Sequence, residues 1–173
     1  MTESEKWVIG SVGVVGILIV LVMLFSPSGG GSGLSLQGKK VSIMNRKHID
    51  KGVNFKNYNS NPPTSGPHWT NQAGWGVYSK PLPDEQLVHN LEHGGIWISY
   101  KPKKVSSSTL DQMKNLAQKY TNAVILTPRS KNDSPIAVAS WGRLMKLKKF
   151  QRKKVEKFIK ANINNSPEKM AQL

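Results

Sequence analysis

The distribution of apolar residues divides the chain into an uncharged N-terminal run and a longer segment of mixed pattern. Residues 7–25 read WVIGSVGVVGILIVLVMLF and contain no charged side chain. A helix rises about 1.5 Å per residue, so this run would reach roughly 28 Å, close to the thickness of the hydrocarbon core of a bilayer. The pattern predicts a transmembrane anchor at 7–25, preceded by a short N-terminal head at 1–6.

A cleaved signal peptide is the main alternative to this anchor. The run is longer than a usual signal-peptide core, and SPSG at 26–29 lacks an Ala-x-Ala cleavage pattern, which favours an uncleaved signal-anchor. Only Lys6 among the basic residues precedes the run. Long domains translocate largely regardless of their charge, so we expect a single-pass membrane protein whose C-terminal domain lies outside the cytoplasm.

Residues 26–38 read SPSGGGSGLSLQG and predict a flexible tether. Gly and Ser expose little surface that burial would stabilise, and a coil of this length spans about 20 Å on average. The remaining residues, 39–173, are long enough to form one domain with a hydrophobic core. The chain contains no cysteine, so a core or a bound metal must stabilise this domain without disulfides.

Within 39–173 the apolar pattern alternates between the periods of strands and helices. Short β-branched runs predict strands at Val41–Met44, Ile96–Tyr100, Ala123–Thr127 and Ile136–Trp141. Ser106–Ser108 offer N-caps for a helix whose apolar positions recur from Leu110 to Tyr120. A last helix is predicted from about Leu147 to Ile163, with an inward face formed by Phe150, Val155, Phe158 and Ile159.

This order of elements predicts an α+β domain with a small mixed or antiparallel sheet and two helices. The strands at 123–127 and 136–141 are expected to form a hairpin. Residues 45–85 show no sustained period, but they contain Tyr58, Trp69, Trp75 and Tyr78, which favour burial. We therefore expect a long ordered loop that lies over one edge or end of the sheet.

The formal net charge of the chain is +15, and much of it lies near the C-terminus. Nine Lys or Arg and one acidic residue, Glu156, occur between Arg143 and Lys160. A solvated helix face would explain this pattern. The functional interpretation is attraction to anionic lipid headgroups or to an anionic wall polymer. No nucleic-acid motif accompanies the charge, so nucleic acid is not expected as a partner.

The four histidines of the chain are the candidate chemistry. His89 and His93 flank Glu92 in His-Asn-Leu-Glu-His. On a helix these rings lie on one face at positions i and i+4 and can share a metal ion, whereas on a strand they would lie roughly 13 Å apart. Asp84 and Glu85 suit a helix N-terminus, and the glycines after His93 suit its end. A short helix is therefore predicted here.

The same five residues allow other interpretations. His-x-x-Glu-His is the inverted zinc-peptidase signature, in which the histidines bind zinc and the glutamate activates water, but that scaffold has a longer helix. Alternatively His89 and His93 cap a turn while Glu92 accepts backbone hydrogen bonds. The rigid Pro-Pro-Thr-Ser-Gly-Pro run before His68 is suited to hold a third imidazole in one place, or to pack Trp69 as a stiff surface loop. His48 alone would be interpreted as a solvated side chain.

Several motifs of this region occur in a fixed order. They are Tyr58-x-x-x-Pro-Pro-Thr-Ser-Gly-Pro-His68, Gly76-Val-Tyr78, Val88-His-Asn-Leu-Glu-His-Gly-Gly95, Tyr100-x-Pro102, Trp141-Gly142 and Pro167-Glu168. Together they resemble the domain-of-unknown-function family 3105 over roughly residues 41–170. The resemblance implies a membrane-anchored or secreted protein without an agreed activity. It also implies that His48, His68, His89, Glu92 and His93 all fall on motif positions of the family.

We therefore expect a histidine-rich metal site for copper or zinc, with a storage, transfer or structural role. Its expected ligands are His68, His89 and His93, with His48 as a fourth and Glu92 as a further ligand or as a hydrogen-bonding partner of one imidazole. Two alternatives remain open. One is a zinc hydrolase in which Glu92 acts as general base. The other is a non-catalytic envelope interaction domain without a metal.

Overall fold

A sheet of six strands organises the domain, and three α-helices pack on it. The structure is a computed structural model that describes residues 35–172. The strands are β1 (Lys39–Lys40), β2 (His48–Ile49), β3 (His68–Trp69), β4 (Gly76–Val77), β5 (Ile96–Tyr100), β6 (Val124–Pro128), β7 (Ile136–Ser140) and β8 (Arg143–Leu147). The helices are α1 (Asp84–Glu92), α2 (Ser107–Gln118) and α3 (Arg152–Asn162), and a 3-10 turn lies at Pro102–Lys104.

The strands of the main sheet follow the order β1-β8-β7-β5-β6-β4. The pairs β1–β8, β8–β7 and β7–β5 are antiparallel, whereas β5–β6 and β6–β4 are parallel. The parallel neighbours β5 and β6 are joined by a crossover that contains α2, as a parallel pair requires. The strands β2 and β3 form a separate parallel pair in which His48 lies opposite His68.

The alternation of side chains along the central strands gives the sheet two buried faces. One face carries Ile96, Ile98 and Val138 and packs against α2 and α3. The opposite face carries Trp97 and Ile125, which pack against α1 and the long loop before it. The domain is therefore a three-layer α+β structure in which α1 and the basic helix α3 lie on different sides of the sheet.

Several predicted elements are confirmed. The strand Ile96–Tyr100 has the predicted bounds, and the two later strands begin within one residue of theirs. The side chain of Ser106 caps α2 by accepting from Thr109 N at 3.3 Å. The inward positions of the last helix are buried at Val155, Phe158 and Ile159, and Phe150 packs against the same core from a partly buried position.

Other predictions about the sheet were wrong. Residues 123–127 and 136–141 form no hairpin, because β5 lies between β6 and β7. The hairpin is instead formed by β7 and β8, whose reversal is made at Trp141-Gly142. The strand expected at Val41–Met44 is displaced, since the pairing with β8 involves Lys39–Lys40. The strand β8 was not predicted, and the last helix, which was predicted from about Leu147, begins at Arg152.

The loop at 45–85 is ordered, as predicted. Its residues Gly76–Val77 form the edge strand β4, and neighbouring residues of the loop pack on one face of the sheet. Ala73, Trp75 and Tyr78 pack against the cluster formed by α1 and the sheet. Within residues 35–172, no helix is long and apolar enough to cross a membrane. The predicted anchor at 7–25 and most of the predicted tether lie outside the described residues.

Candidate metal centre

Helix α1 positions His89, Glu92 and His93, and hydrogen bonds to acidic side chains fix its N-terminus. Asp84 lies in the first turn, where its carboxylate accepts from Arg129 Nε at 2.9 Å and from Arg129 Nη2 at 2.7 Å. Glu85 accepts from the backbone N–H of Phe55 at 2.7 Å. Acidic groups at this end also suit the helix dipole. The helix is consequently fixed at its start, with His89 and Glu92 in its last turn.

The C-terminus of α1 ends sharply at two glycines. Gly94 has a φ of +90°, and a Cβ there would lie 2.3 Å from the Asn164 side chain. Only glycine adopts this conformation without strain while it allows so close an approach. The short helix predicted at this motif is thus confirmed, with His89 and His93 one turn apart and Asn164 packed behind them.

The proline-rich loop delivers His68 into the interior. Gly66 has a φ of +127°, and its carbonyl accepts from His68 Nδ1 at 2.7 Å. The same loop is fixed by the Tyr58 hydroxyl, which donates to the Pro67 carbonyl at 2.6 Å. The His68 side chain has no solvent exposure. The rigid loop therefore holds the ring in one orientation, as the prolines predicted.

His48 joins the cluster because β2 pairs with β3. The register places His48 directly beside His68, and the two ring centroids lie 4.9 Å apart. The His48 ring is also stacked on the ring of His89, at 5.4 Å and an interplanar angle of 8°. Half of its side chain, 51%, remains exposed. His48 therefore forms the solvent-facing side of the cluster.

The imidazoles of the four histidines form one continuous cluster. One nitrogen from each of His48, His68 and His89 lies within 4.8 Å of the others. The fourth ring joins through His93 Nε2, which lies 3.0 Å from His89 Nε2. Atoms that share an ion through bonds of about 2.0–2.1 Å lie roughly 3–4 Å apart. The 3.0 Å distance between His89 and His93 falls in this range, whereas the 4.8 Å limit for the other group exceeds it, so those rings would move closer together around a shared ion.

The Nδ1 atoms of the rings point away from the cluster, and their hydrogen-bond partners indicate where the protons lie. Nδ1 of His68 is 2.7 Å from the carbonyl of Gly66, and Nδ1 of His89 is 2.6 Å from the carbonyl of Trp69. A carbonyl only accepts, so each of these Nδ1 atoms carries a proton. His93 Nδ1 likewise lies 2.7 Å from Oε1 of Gln72. The Nε2 atoms of the three rings face one another or the carboxylates of Glu92 and Glu168.

Burial favours the neutral forms of His68 and His93. Desolvation lowers the pKa of His68 and outweighs the opposite effects of its hydrogen bond to Gly66 and of the Glu92 carboxylate. Desolvation also lowers the pKa of His93, and the neighbouring His89 acts in the same direction. The contact between His68 and Glu92 would favour a protonated ring, but the buried position dominates. Neutral imidazoles are the form that binds metal ions.

Glu92 adds a carboxylate to the cluster. Its Oε2 lies 2.8 Å from His68 Nε2 and 3.8 Å from His48 Nε2, while Oε1 accepts from Arg46 Nη1 at 3.4 Å. Only 3% of the Glu92 side chain is exposed. The structure thus brings together all five residues that the sequence predicted. It places Glu92 among the imidazole nitrogens, where it can act as a ligand or orient one.

Two further residues of the cluster were missed by sequence reasoning. Glu168 Oε2 lies 2.9 Å from His93 Nε2, and Gln72 contacts the other nitrogen of the same ring. Glu168 is brought there because the backbone N–H groups of Glu168 and Met170 donate to the carbonyls of Glu92 and His93. The Pro-Glu motif was the one available signal for Glu168. Nothing in the local sequence of Gln72 indicated its role.

The fold and the site define an α+β domain with a histidine cluster that can hold a metal ion. The chain belongs to the family described as Protein of unknown function (DUF3105), which matches residues 48–172. The matched region begins at His48 and includes the four histidines, Gln72, Glu92 and Glu168. Arg46, which contacts Glu92, lies just before it. The resemblance predicted from the sequence is thereby confirmed. No curated protein and no solved structure matches the chain.

Proposed function

We propose that the domain binds one transition metal ion through Nε2 of His48, His68, His89 and His93, with Glu92 as a further ligand or as an orienting group. The observation that carries the proposal is the 3.0 Å separation of two Nε2 atoms in His89 and His93, each of whose Nδ1 atoms faces an oxygen acceptor. Without a metal, two nitrogens at this distance can share one N–H···N hydrogen bond. A cation that displaces this proton can bind both nitrogens.

The donor set favours copper or zinc. Imidazole nitrogens suit Cu²⁺ and Zn²⁺, whereas Mg²⁺ and Ca²⁺ prefer sites made of oxygen ligands. Three of the four rings, those of His68, His89 and His93, place Nδ1 against an oxygen acceptor, which is the usual way in which a metal-binding histidine is oriented. In the general order of affinities Cu²⁺ exceeds Zn²⁺, so we expect the isolated protein to bind Cu²⁺ more tightly.

The uneven burial of the ligands supports handling of an exchangeable ion over a permanently enclosed structural site. His68 and Glu92 lie in the interior, while His48 is half exposed on a two-residue strand. An ion held by the inner residues can therefore be reached from solvent on the side of His48. The proposed role is reversible binding of copper or zinc, as storage or transfer.

The test is metal content and titration of the full chain purified in detergent. We expect one ion per chain, with Cu²⁺ and Zn²⁺ competing for the same site, and a loss of binding in His68→Ala. A control substitution at Gln112, an exposed residue of α2, should leave binding intact. A chain that purifies without metal and shows no saturable uptake of either ion would refute the proposal. That result would favour the interaction domain without a metal.

A zinc hydrolase remains the second candidate, and one observation bears on it. Glu92 Oε2 is directed at the ring nitrogens of His68 and His48, and its other oxygen contacts Arg46. A general base must instead face a metal-bound water at an open position. The substitution Glu92→Gln separates the roles. Retained metal with loss of a hydrolytic activity would support the enzyme, and weakened metal binding would support Glu92 as part of the metal site.

We further propose that the uncharged run at 7–25 anchors this domain to a membrane, on its outer side. The support is the length and hydropathy of that run together with the Gly/Ser-rich segment that follows it. Protease treatment of intact cells is the direct test. Digestion of the domain from outside would agree with the proposed orientation, and digestion only after lysis would contradict it.

A further inference from the structure

We propose that the outer face of α3 is a docking surface for the headgroups of an anionic lipid bilayer. Five basic residues of this helix are exposed: Arg152, Lys153, Lys154, Lys157 and Lys160. The opposite side of the helix buries Val155, Phe158 and Ile159 against the sheet. This arrangement gathers the positive charge on one surface, here called the basic face.

The charge of the basic face is largely uncompensated. Glu156 is the one acidic residue of α3, and its carboxylate accepts from Lys119 and from the Tyr120 hydroxyl beside α2. Within residues 35–172, Lys160 is the one basic residue of the helix that forms an ion pair, at 3.7 Å from Glu156. Lys148 and Lys149, exposed in the turn before α3, extend the same charge. A surface of this kind attracts anions.

The path of the chain selects lipid as the partner. Gln37 is bound to the end of α3, where its N–H donates to Asn162 Oδ1 and its carbonyl accepts from Asn162 Nδ2, both at 3.2 Å. The chain therefore enters the domain at the C-terminal end of α3, a short tether after the uncharged run at 7–25. A coil of the length of 26–38 spans about 20 Å on average, so headgroups lie within its reach.

Docking through α3 has a consequence for the metal site. The basic face belongs to the layer of helices on one side of the sheet, and the histidine cluster belongs to the layer of α1 on the other side. A domain that rests on headgroups through α3 would thus present His48 away from the bilayer. This inference does not depend on metal binding, but it rests on the membrane anchor proposed at 7–25, together with the charge of α3 and the attachment of Gln37.

The experiment uses the full chain reconstituted into vesicles of phosphatidylglycerol or of phosphatidylcholine. A water-soluble acylating reagent measures the exposure of each lysine by mass spectrometry. We expect Lys153, Lys154 and Lys157 to be modified about tenfold more slowly on phosphatidylglycerol, because each exposed basic residue near an anionic surface is attracted to it. Raised ionic strength should abolish the protection. Lys80, Lys103 and Lys104, exposed elsewhere, serve as internal controls and should react equally in both lipids.

Equal modification of the α3 lysines in the two lipids would overturn the proposal. Protection that appears only when an isolated anionic wall polymer is added would also overturn it and would assign the basic face to that polymer. A triple substitution of Lys153, Lys154 and Lys157 to Gln should remove the lipid dependence of Lys148 and Lys149, whereas the matched substitution of the three control lysines should not. Uptake of Cu²⁺ by the reconstituted chain is measured separately, so failure of the lipid-docking proposal can be told apart from failure of the metal-binding proposal.

Discussion

At the scale of single residues, the function of the site is set by hydrogen bonds that the rings make away from the cluster. The carbonyls of Gly66 and Trp69 fix a proton on Nδ1 of His68 and His89, and this directs Nε2 of each ring into the cluster. The positions of these two carbonyls depend on the turn at Gly66 and on the pairing of β3. The backbone therefore selects the tautomer before any ion binds.

Removal of one inward-facing imidazole should abolish most of the affinity. We expect His89→Ala to weaken the binding of Cu²⁺ and Zn²⁺ by more than about 100-fold, because even loss of an outer hydrogen-bond partner costs roughly 10–100-fold. Competition titration against a chelator of known affinity measures this change. The exposed Gln112→Ala variant should match the wild type. A His89→Ala chain with unchanged affinity would remove this ring from the proposed site.

A smaller effect is expected when only the orientation of a ring is disturbed. Gln72 Oε1 lies 2.7 Å from His93 Nδ1, and this contact selects Nε2 as the binding atom. Gln72→Ala should weaken the metal affinity by roughly tenfold. Gln72→Glu retains an acceptor oxygen and should restore the affinity. If the alanine and glutamate variants bind equally, the hydrogen bond does not orient the ring.

At the scale of elements, α1 is positioned by a buried ion pair at one end and by glycines at the other. The Asp84–Arg129 pair connects the start of α1 to the end of β6, with both side chains more than nine-tenths buried. The cation of Arg129 also lies 5.6 Å from the ring of Trp97. The orientation of α1, and with it the position of His89 and Glu92, depends on this pair.

Breaking the pair at one partner should therefore destabilise the domain strongly. We expect Asp84→Asn to lower the free energy of unfolding by about 3–5 kcal/mol, because an unpaired charge remains in the interior. Denaturant unfolding measures the change. The matched control is Asp133→Asn, which disrupts an exposed pair with Lys146 and should cost less than about 1 kcal/mol. Equal effects of the two substitutions would contradict a structural role of the buried pair.

A contact between the end of α2 and Glu156 of α3 makes the stability of the fold depend on pH in a predictable direction. Hydrogen bonds from Lys119 and from the Tyr120 hydroxyl lower the pKa of Glu156 to about 2 from an ordinary value of 4.5. Because the folded-state pKa is depressed, the carboxylate stabilises the fold above pH 4.5, and this contribution is lost as the pH falls towards 2.

Comparison of the wild type with Glu156→Gln isolates this contribution. We expect the variant to be less stable at neutral pH, and the difference between the two proteins to shrink as the pH is lowered through the acidic range. Urea unfolding at a series of pH values measures the difference. A constant difference across that series would show that Glu156 does not act through its charge.

At the scale of the whole molecule, the cluster joins segments that are distant in the chain. His48 and His68 lie on β2 and β3, His89 and Glu92 lie on α1, and Glu168 lies in the C-terminal segment. A bound ion would connect these segments in a chain that contains no cysteine. Metal binding should consequently stabilise the folded domain as a whole.

We expect Cu²⁺ or Zn²⁺ to raise the melting temperature of the domain in a concentration-dependent manner. An excess of free ion of about 100 times Kd should stabilise the fold by about 2.7 kcal/mol, provided that the unfolded chain does not bind it. Calorimetry with and without metal measures the shift. His68→Ala should show no shift, and a shift of equal size in that variant would indicate binding elsewhere.

Local patterns predicted the parts of this molecule that depend on near neighbours in sequence. The helical spacing of His89 and His93 and the strand at Ile96–Tyr100 are of this kind. Local sequence patterns gave wrong predictions where the interacting residues are far apart in the chain. The position of β5 between β6 and β7 depends on the crossover through α2, which local patterns do not show. The strand β8 is rich in basic residues, so its sequence resembles that of a solvated loop. Glu168 reaches the site through backbone hydrogen bonds, which leave no mark in the sequence.

The most direct test of the metal centre is X-ray absorption spectroscopy of the full chain loaded with one equivalent of Zn²⁺ or Cu²⁺. We expect at least three imidazole ligands, with metal–nitrogen distances of about 2.0–2.1 Å for zinc. The His68→Ala chain, which is expected to lose binding, should show no imidazole ligands under the same conditions. A wild-type spectrum with oxygen ligands and no imidazole contribution would rule out the proposed histidine site.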